Sequence, residues 1–88
     1  MKELYFFYLS SCPYCRQADA LIEKLCAADP KYREVKIRKI EERLEKELAD
    51  SYDYYFVPCF FLEEKKLHEG AANEEIIKNV LEEALKTR

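Results

Sequence analysis

The chain has 88 residues, a length that fits one domain with a modest hydrophobic core, and we expect residues 1–88 to form a single domain. A formal net charge of −3 argues against nucleic acid as the main partner, because phosphate contacts need clustered cations. Hydrophobic residues make up 49% of the sequence and charged residues 38%, a balance that is typical of a soluble globular protein and excludes a disordered or fibrous one.

The first predicted elements are a strand and a helix. Residues 4–9 form a continuous apolar and aromatic run, typical of a central strand that is buried on both faces. From residue 13 to about residue 28, apolar residues recur at helical spacing, and Asp29-Pro30 ends the pattern. The apolar positions of this helix are Ala18, Leu21, Ile22, Leu25 and Cys26.

The middle of the chain predicts a second strand and a second helix. Residues 34–38 alternate between polar and apolar side chains with a period of two, which indicates a strand at a sheet edge with one face in water. Ile40, Leu44 and Leu48 stand four residues apart among charged residues. This spacing predicts a helix over about residues 41–50.

The last third of the chain predicts a hairpin and a third helix. Residues 59–62 follow Val57-Pro58 as a second buried strand. A polar turn at residues 63–65 leads to a short strand over residues 66–69, which pairs antiparallel with the buried strand. Gly70 ends the hairpin, and Asn73 caps a final helix with an apolar stripe.

These elements predict an α/β fold with the order β-α-β-α-β-β-α. A right-handed βαβ crossover makes the first two strands parallel, and the closing hairpin supplies antiparallel partners. We therefore expect a four-stranded mixed sheet of order 2-1-3-4 that is flanked by three helices. This order places the two buried strands in the centre of the sheet.

The sequence Cys12-Pro13-Tyr14-Cys15 lies where the first strand ends and the first helix begins. Two cysteines three positions apart on a first helical turn have neighbouring sulfurs, so a disulfide between them closes with little backbone movement. Unpaired N–H groups and the helix dipole stabilise an anion at this end of a helix. We therefore predict a redox-active dithiol in which Cys12 ionises more readily than a free cysteine.

Four cysteines in a short chain also fit a secreted framework of two disulfides. The apolar stretch at residues 4–9 is shorter than the core of a signal peptide, and the lipoprotein-like box at residues 9–12 would place cleavage unusually early. No stretch approaches the roughly 20 apolar residues of a membrane span. We expect a cytoplasmic protein with no membrane partner, in which a C-x-x-C motif is more often catalytic or metal-binding than structural.

The predicted element order, together with Cys12-Pro13-Tyr14-Cys15 and the Val57-Pro58 pair before the third strand, resembles the thioredoxin superfamily and within it the glutaredoxins. The resemblance covers nearly the whole chain. It implies a thioredoxin-like thiol-disulfide oxidoreductase that reduces glutathione mixed disulfides or protein disulfides. It also implies no tightly bound cofactor, glutathione as a co-substrate, and a thiol reductant or reductase as a partner.

The same resemblance assigns roles to residues around the dithiol. It implies a cis peptide bond before Pro58, with the backbone of Val57 free to pair with a substrate. Tyr14 would line the substrate groove. Arg16 would support the thiolate or a glutathione carboxylate, although an ordinary exposed helix residue fits that position equally well.

Residues 70–74 occupy the place of the Gly-Gly…Asp segment with which glutaredoxins hold the γ-glutamyl carboxylate of glutathione at a helix N-terminus. By this resemblance, Ala72 and Asn73 bind substrate. The chain differs from the family pattern in having Phe56 for threonine, Ala71 for the second glycine, Asn73 for the acidic residue, and Cys59 directly after the proline. These differences concern glutathione and leave the dithiol chemistry untouched.

Two other functions stay open on the sequence. One is a metal or iron–sulfur cluster carrier that uses Cys12 with glutathione as a further ligand, although Cys26 and Cys59 do not form the second close pair of a closed zinc site. The other is a redox-inert interaction domain. For the oxidoreductase we expect a monomer with no metal site.

Several further residues have a functional and a structural interpretation. Cys26 and Cys59 are predicted to be core cysteines, and His68 a solvated residue on an edge strand. An aromatic group before the third strand fits either a rim for a protein substrate or core packing. This group consists of Tyr52, Tyr54, Tyr55 and Phe56.

Overall fold

A four-stranded sheet with helices on both faces forms the frame of the molecule. The computed structural model of the chain describes residues 3–86. The strands are β1 (Leu4–Tyr8), β2 (Ile37–Glu41), β3 (Cys59–Leu62) and β4 (Lys65–Glu69). The helices are α1 (Pro13–Ala28), α2 (Lys46–Asp50) and α3 (Glu74–Lys86), with a 3₁₀ turn at Pro30–Glu34.

The sheet has the order β2-β1-β3-β4. β1 pairs parallel with β2 and antiparallel with β3, and β3 pairs antiparallel with β4. The predicted fold class, strand order and strand directions are therefore confirmed. Of the helices within residues 3–86, none is long and apolar enough to cross a membrane.

The second strand and the second helix begin later than the sequence predicts. Val35 is buried under α1 at the end of the 3₁₀ turn, not in a strand, so the strand predicted over residues 34–38 is wrong in its bounds. Ile40 is buried in β2 beside Phe7, and Leu44 is 83% exposed. The helix predicted over residues 41–50 is therefore too long, since strand pairing overrides the four-residue spacing.

The sheet separates two hydrophobic cores because successive residues of a strand point to opposite faces. Leu4 and Phe6 of β1 pack on one face with α1 and α3. Phe7 of β1 packs on the other face with Ala49 of α2 and with Cys59. Cys59 is fully buried, as predicted, and it lies on the opposite face of the sheet from α1.

Local signals explain where α1 ends and where α3 begins. Asp29 ends α1 by donating its N–H to the Leu25 carbonyl, and its carboxylate then accepts the N–H of Lys31. Before α3, Gly70 has a φ of +96°, a conformation that favours glycine. The Asn73 side chain accepts the N–H of Ile76 at 2.8 Å, so the predicted cap of α3 is confirmed.

Candidate active site

The thiol of Cys12 lies at the first turn of α1, next to the end of β1. Cys12 is the N-cap residue, with an extended backbone at φ −88° and ψ 116°, and Pro13 occupies the first turn. Its Sγ accepts the N–H of Cys15 at 3.2 Å. A backbone N–H and the positive end of the helix dipole therefore both face this sulfur, and both stabilise negative charge on it.

The thiol of Cys15 is one turn further into the helix and is only 2% exposed, whereas Cys12 is half-buried. Burial raises the pKa of Cys15 to about 12, and a hydrogen bond with the Cys12 side chain adds to this effect. Cys15 is therefore a protonated thiol at neutral pH. This difference in environment gives the two cysteines different chemical roles.

The segment before β3 supplies the other wall of the site. The peptide bond between Val57 and Pro58 is cis, as the resemblance implied. The Cys12 thiol donates a hydrogen bond to the carbonyl oxygen of Val57, with Sγ and O 3.9 Å apart. The Val57 backbone thus lies directly beside the sulfur that would meet a substrate.

Aromatic side chains near the dithiol fall into two groups. Tyr52 and Tyr54 pack against Phe7, each with ring centroids 5.0 Å from it, so these two belong to the core. Tyr55 and Phe56 are 84% and 67% exposed. The sequence allowed core packing or a substrate rim for this group; the structure places Tyr52 and Tyr54 in the core and leaves Tyr55 and Phe56 exposed.

Glu41, which no local pattern of the sequence marks, holds the loop that leads into the dithiol. Its carboxylate accepts the N–H of Ser10 at 3.1 Å and the N–H of Arg43 at 2.8 Å. The guanidinium of Arg43 also bridges the Glu41 carboxylate and the Ser10 hydroxyl. The two backbone hydrogen bonds lower the pKa of Glu41 to about 2.

This shifted carboxyl predicts an acid-dependent contribution to stability. The folded-state pKa of Glu41 lies below its ordinary value of 4.5, so its stabilising effect is complete above about pH 4.5 and is lost as the pH falls towards 2. We expect Glu41→Gln to lower the free energy of unfolding at pH 7, and this deficit should shrink as the pH falls from 4.5 to 2. Urea unfolding at several pH values measures it.

The matched control for this prediction is Glu23→Gln, which neutralises an exposed carboxylate on α1. It should change the free energy of unfolding little at either pH. A deficit of Glu41→Gln that stays constant between pH 7 and pH 2 would contradict the assignment. The hydrogen bonds of Glu41 would then stabilise the fold equally whether or not its carboxyl is ionised.

A cavity of about 210 Å³ lies behind the dithiol, between α1 and the sheet. Cys15, Arg16, Asp19 and Lys39 are among its lining residues. The Lys39 ammonium lies 2.6 Å from the Asp19 carboxylate, and the Arg16 guanidinium donates to the Ser10 carbonyl at 3.3 Å. Arg16 therefore braces the loop before Cys12.

Solved structures of known proteins share this arrangement of strands and helices. A single-residue mutant of the thioredoxin from Halobacterium salinarum NRC-1 gives a TM-score of 0.68 at 23% identity, over 93% of this chain and 73% of that one. The germline-specific thioredoxin Deadhead from Drosophila melanogaster gives a TM-score of 0.67 at 21% identity, over 91% of this chain and 77% of that one. A malarial protein gives a TM-score of 0.68 at 14% identity, over 93% of this chain and 94% of that one.

The chain has a thioredoxin fold. At these identities the likeness shows the fold alone. No protein-family model matches the chain, and no curated protein sequence matches it either.

In this thioredoxin fold, Ala72 and Asn73 lie in a groove between α1 and the start of α3, of about 530 Å³. Cys12 is not among the described residues that line the groove. The Asn73 side chain already caps α3, and Glu74 pairs with Lys24 at 2.6 Å. Negative charge from Glu74 and Glu75 therefore stands at the helix end where the resemblance places a glutathione carboxylate.

His68 and Cys26 are the two remaining sequence candidates, and both make contacts within the thioredoxin fold. His68, predicted to be solvated, is half-buried, and its Nε2 donates to the Ala71 carbonyl at 2.9 Å. Cys26 is half-buried against the core under α1, and burial raises its pKa. Cys26 thus packs as predicted, while His68 has a structural partner that the sequence did not indicate.

Metal ligands are sparse in the part of the chain that the structure describes. Within residues 3–86, no group of three or more His, Cys, Asp or Glu side chains lies close enough to hold a metal ion. Cys12 and Cys15 are two thiol ligands, and a tetrahedral site needs four. A metal or cluster at this dithiol would therefore need ligands from another molecule.

Proposed function

We propose that the protein is a thiol-disulfide oxidoreductase that reduces disulfides through Cys12 and Cys15. The observation that carries this proposal is the position of Cys12. Its sulfur accepts the Cys15 N–H at the tip of α1, faces the Val57 carbonyl, and is more accessible than the buried Cys15 thiol. This geometry makes Cys12 the sulfur that meets a substrate disulfide and keeps Cys15 in reserve as the resolving thiol.

The proposed reaction has two displacement steps. In the first, the Cys12 thiolate attacks one sulfur of the substrate disulfide, so that a mixed disulfide forms and the other substrate sulfur leaves as a thiolate that takes up a proton. In the second, Cys15 gives up its proton and attacks the Cys12 sulfur, and the remaining substrate thiolate leaves. Two electrons pass from the dithiol to the substrate, and Cys12 and Cys15 end as a disulfide.

An external thiol must restore the dithiol after each cycle. We propose either glutathione or a dithiol reductase for this step, since the reaction balances only when two electrons return from another thiol pair. A reducing compartment such as the cytoplasm would supply both. Burial of Cys59 and partial burial of Cys26 would keep these thiols out of the exchange.

We further propose that polypeptide disulfides are better substrates than glutathione mixed disulfides. Tyr14, Tyr55 and Phe56 carry exposed aromatic rings, which suit contact with an extended polypeptide. Asn73 already uses its side chain to cap α3, and Glu75, beside the Glu74–Lys24 ion pair, adds negative charge to that first turn. These features support a protein substrate and weaken the glutathione subsite.

Steady-state turnover of two substrates tests this proposal. We expect the protein to accelerate the reduction of insulin by dithiothreitol, with a kcat/KM above that for a glutathione mixed disulfide. The control is Cys26→Ser, which removes a thiol away from the dithiol and should retain both activities. If neither substrate is reduced faster than without protein, the oxidoreductase proposal fails. If the glutathione disulfide is preferred, only the substrate proposal fails.

A further inference from the structure

Glu69, the last residue of β4, holds the backbone of the loop that precedes β3. One carboxylate oxygen accepts the N–H groups of both Tyr55 and Phe56, the second at 2.8 Å. The other oxygen accepts from the Lys66 ammonium, also at 2.8 Å. The Glu69 side chain itself is only 19% exposed, although the residues that it holds lie at the surface.

The residue after Glu69 holds the same loop at its other end. The N–H of Gly70 donates to the carbonyl oxygen of Pro58 at 2.8 Å. Glu69 and Gly70 therefore hydrogen-bond the loop at Phe56 and at Pro58, respectively. The carbonyl of Val57, which faces the Cys12 sulfur, lies between these two points.

The chemistry of the carboxylate suits this task. The loop before β3 has no helix or strand of its own, so its N–H groups need partners from elsewhere in the chain. Hydrogen bonds from N–H groups to a charged carboxylate are stronger than those to a neutral acceptor. The bonds from Lys66, Tyr55 and Phe56 lower the pKa of Glu69 to about 2, so the group is ionised at neutral pH.

We propose that Glu69 is a positioning residue for thiol–disulfide exchange, because it fixes the Val57 backbone beside Cys12 through the N–H groups of the preceding residues. This inference rests on the proposed function. Glu69 acts through its hydrogen bonds to the loop and not on the reacting sulfurs. It acts on the wall against which a polypeptide disulfide must lie for Cys12 to attack it in line, and a small error in that placement slows exchange strongly.

Two variants test the role of Glu69. Glu69→Ala removes the acceptor, and Glu69→Gln keeps one oxygen without its charge. We expect Glu69→Ala to lower kcat/KM for insulin by about 10- to 100-fold. The same variant should exchange with hydroxyethyl disulfide within about twofold of wild type, since so small a substrate needs little besides Cys12. Hydrogen exchange at the Tyr55 and Phe56 amides should become faster.

The matched control is Glu64→Ala, which removes an exposed carboxylate from the turn of the same hairpin and should leave all three readouts unchanged. Alkylation of Cys12 by iodoacetamide should be equal in all variants. A general structural defect would slow both disulfides together, whereas a positioning defect slows insulin alone. The ratio of the two rates therefore separates the two explanations.

The outcomes separate this inference from the proposed function. If wild type reduces neither disulfide, the proposed function fails and the inference falls with it. If wild type is active and Glu69→Ala equals it on insulin, or loses both substrates equally, only the inference is overturned. Should Glu69→Ala not fold, Glu69→Gln decides: faster exchange at both amides with a smaller insulin-specific loss supports the inference, and any other result overturns it.

Discussion

Cys12→Ser is expected to abolish disulfide reduction, whereas Cys15→Ser should stop the reaction after its first step. A serine hydroxyl at position 12 is not ionised at neutral pH and does not attack a disulfide, so the rate should fall on the order of 10³-fold or more. In Cys15→Ser, the Cys12 thiolate still attacks but nothing within the chain displaces the product. Mass spectrometry after mixing with a disulfide-bonded peptide should therefore show a stable mixed disulfide on Cys12.

The environments of the two thiols make this asymmetry necessary. Burial raises the pKa of Cys15 to about 12, which favours Cys12 as the first nucleophile at neutral pH. Cys26→Ser should form no trapped adduct and should turn over normally. A mixed disulfide that forms on Cys15 in the Cys12→Ser variant, with none on Cys12 in Cys15→Ser, would reverse the assigned roles.

The start of α1 at the two cysteines and the hairpin of β3 and β4 could be predicted because their signals are local. Proline directly after Cys12, at the end of an apolar run, marks a helix start, and the structure places the N-cap there. The buried strand before a polar turn predicts the hairpin of β3 and β4 in the same way. Each of these decisions needs only residues within a few positions of one another.

The bounds of β2 and α2 could not be predicted because a distant partner decides them. Ile40, Leu44 and Leu48 have helical spacing, but Ile40 pairs in register with Phe7 of β1. Burial beside Phe7 stabilises the strand at this point, and propensity within a short window does not report it. Leu44 then points to solvent although its neighbours suggest a helix face.

The two carboxylates around the site were missed for a related reason. Glu41 reaches Ser10 across 31 positions of the chain, and Glu69 reaches Phe56 across 13. In the sequence each stands among lysines and other glutamates and fits a solvated face equally well. Only the register of the sheet brings them to the loops on either side of Cys12, so no local pattern distinguishes them from the exposed glutamates.

Phe60→Ala should have the largest effect on stability of the substitutions considered for this chain. Phe60 is fully buried in β3, and its ring stacks on that of Phe6 with centroids 4.7 Å apart. Removing a buried phenylalanine ring leaves a cavity and costs about 3–5 kcal/mol. Single domains have a free energy of unfolding of about 5–15 kcal/mol, so the loss is a large share of the total. The urea midpoint should fall at nearly unchanged slope.

Phe56→Ala is the matched control, since it removes the same side chain from a position that is 67% exposed. It should change the free energy of unfolding by no more than about 0.5 kcal/mol, while lowering kcat/KM for insulin if the exposed ring contacts polypeptide. Phe60→Ala should lose stability but keep its kcat/KM for insulin when it is assayed at a temperature at which it is still folded. The hydrogen bonds of Cys12 do not involve Phe60. Equal losses of stability in the two variants would mean that burial in this core does not govern stability, and equal losses of activity would mean that the aromatic rim has no special part in substrate binding.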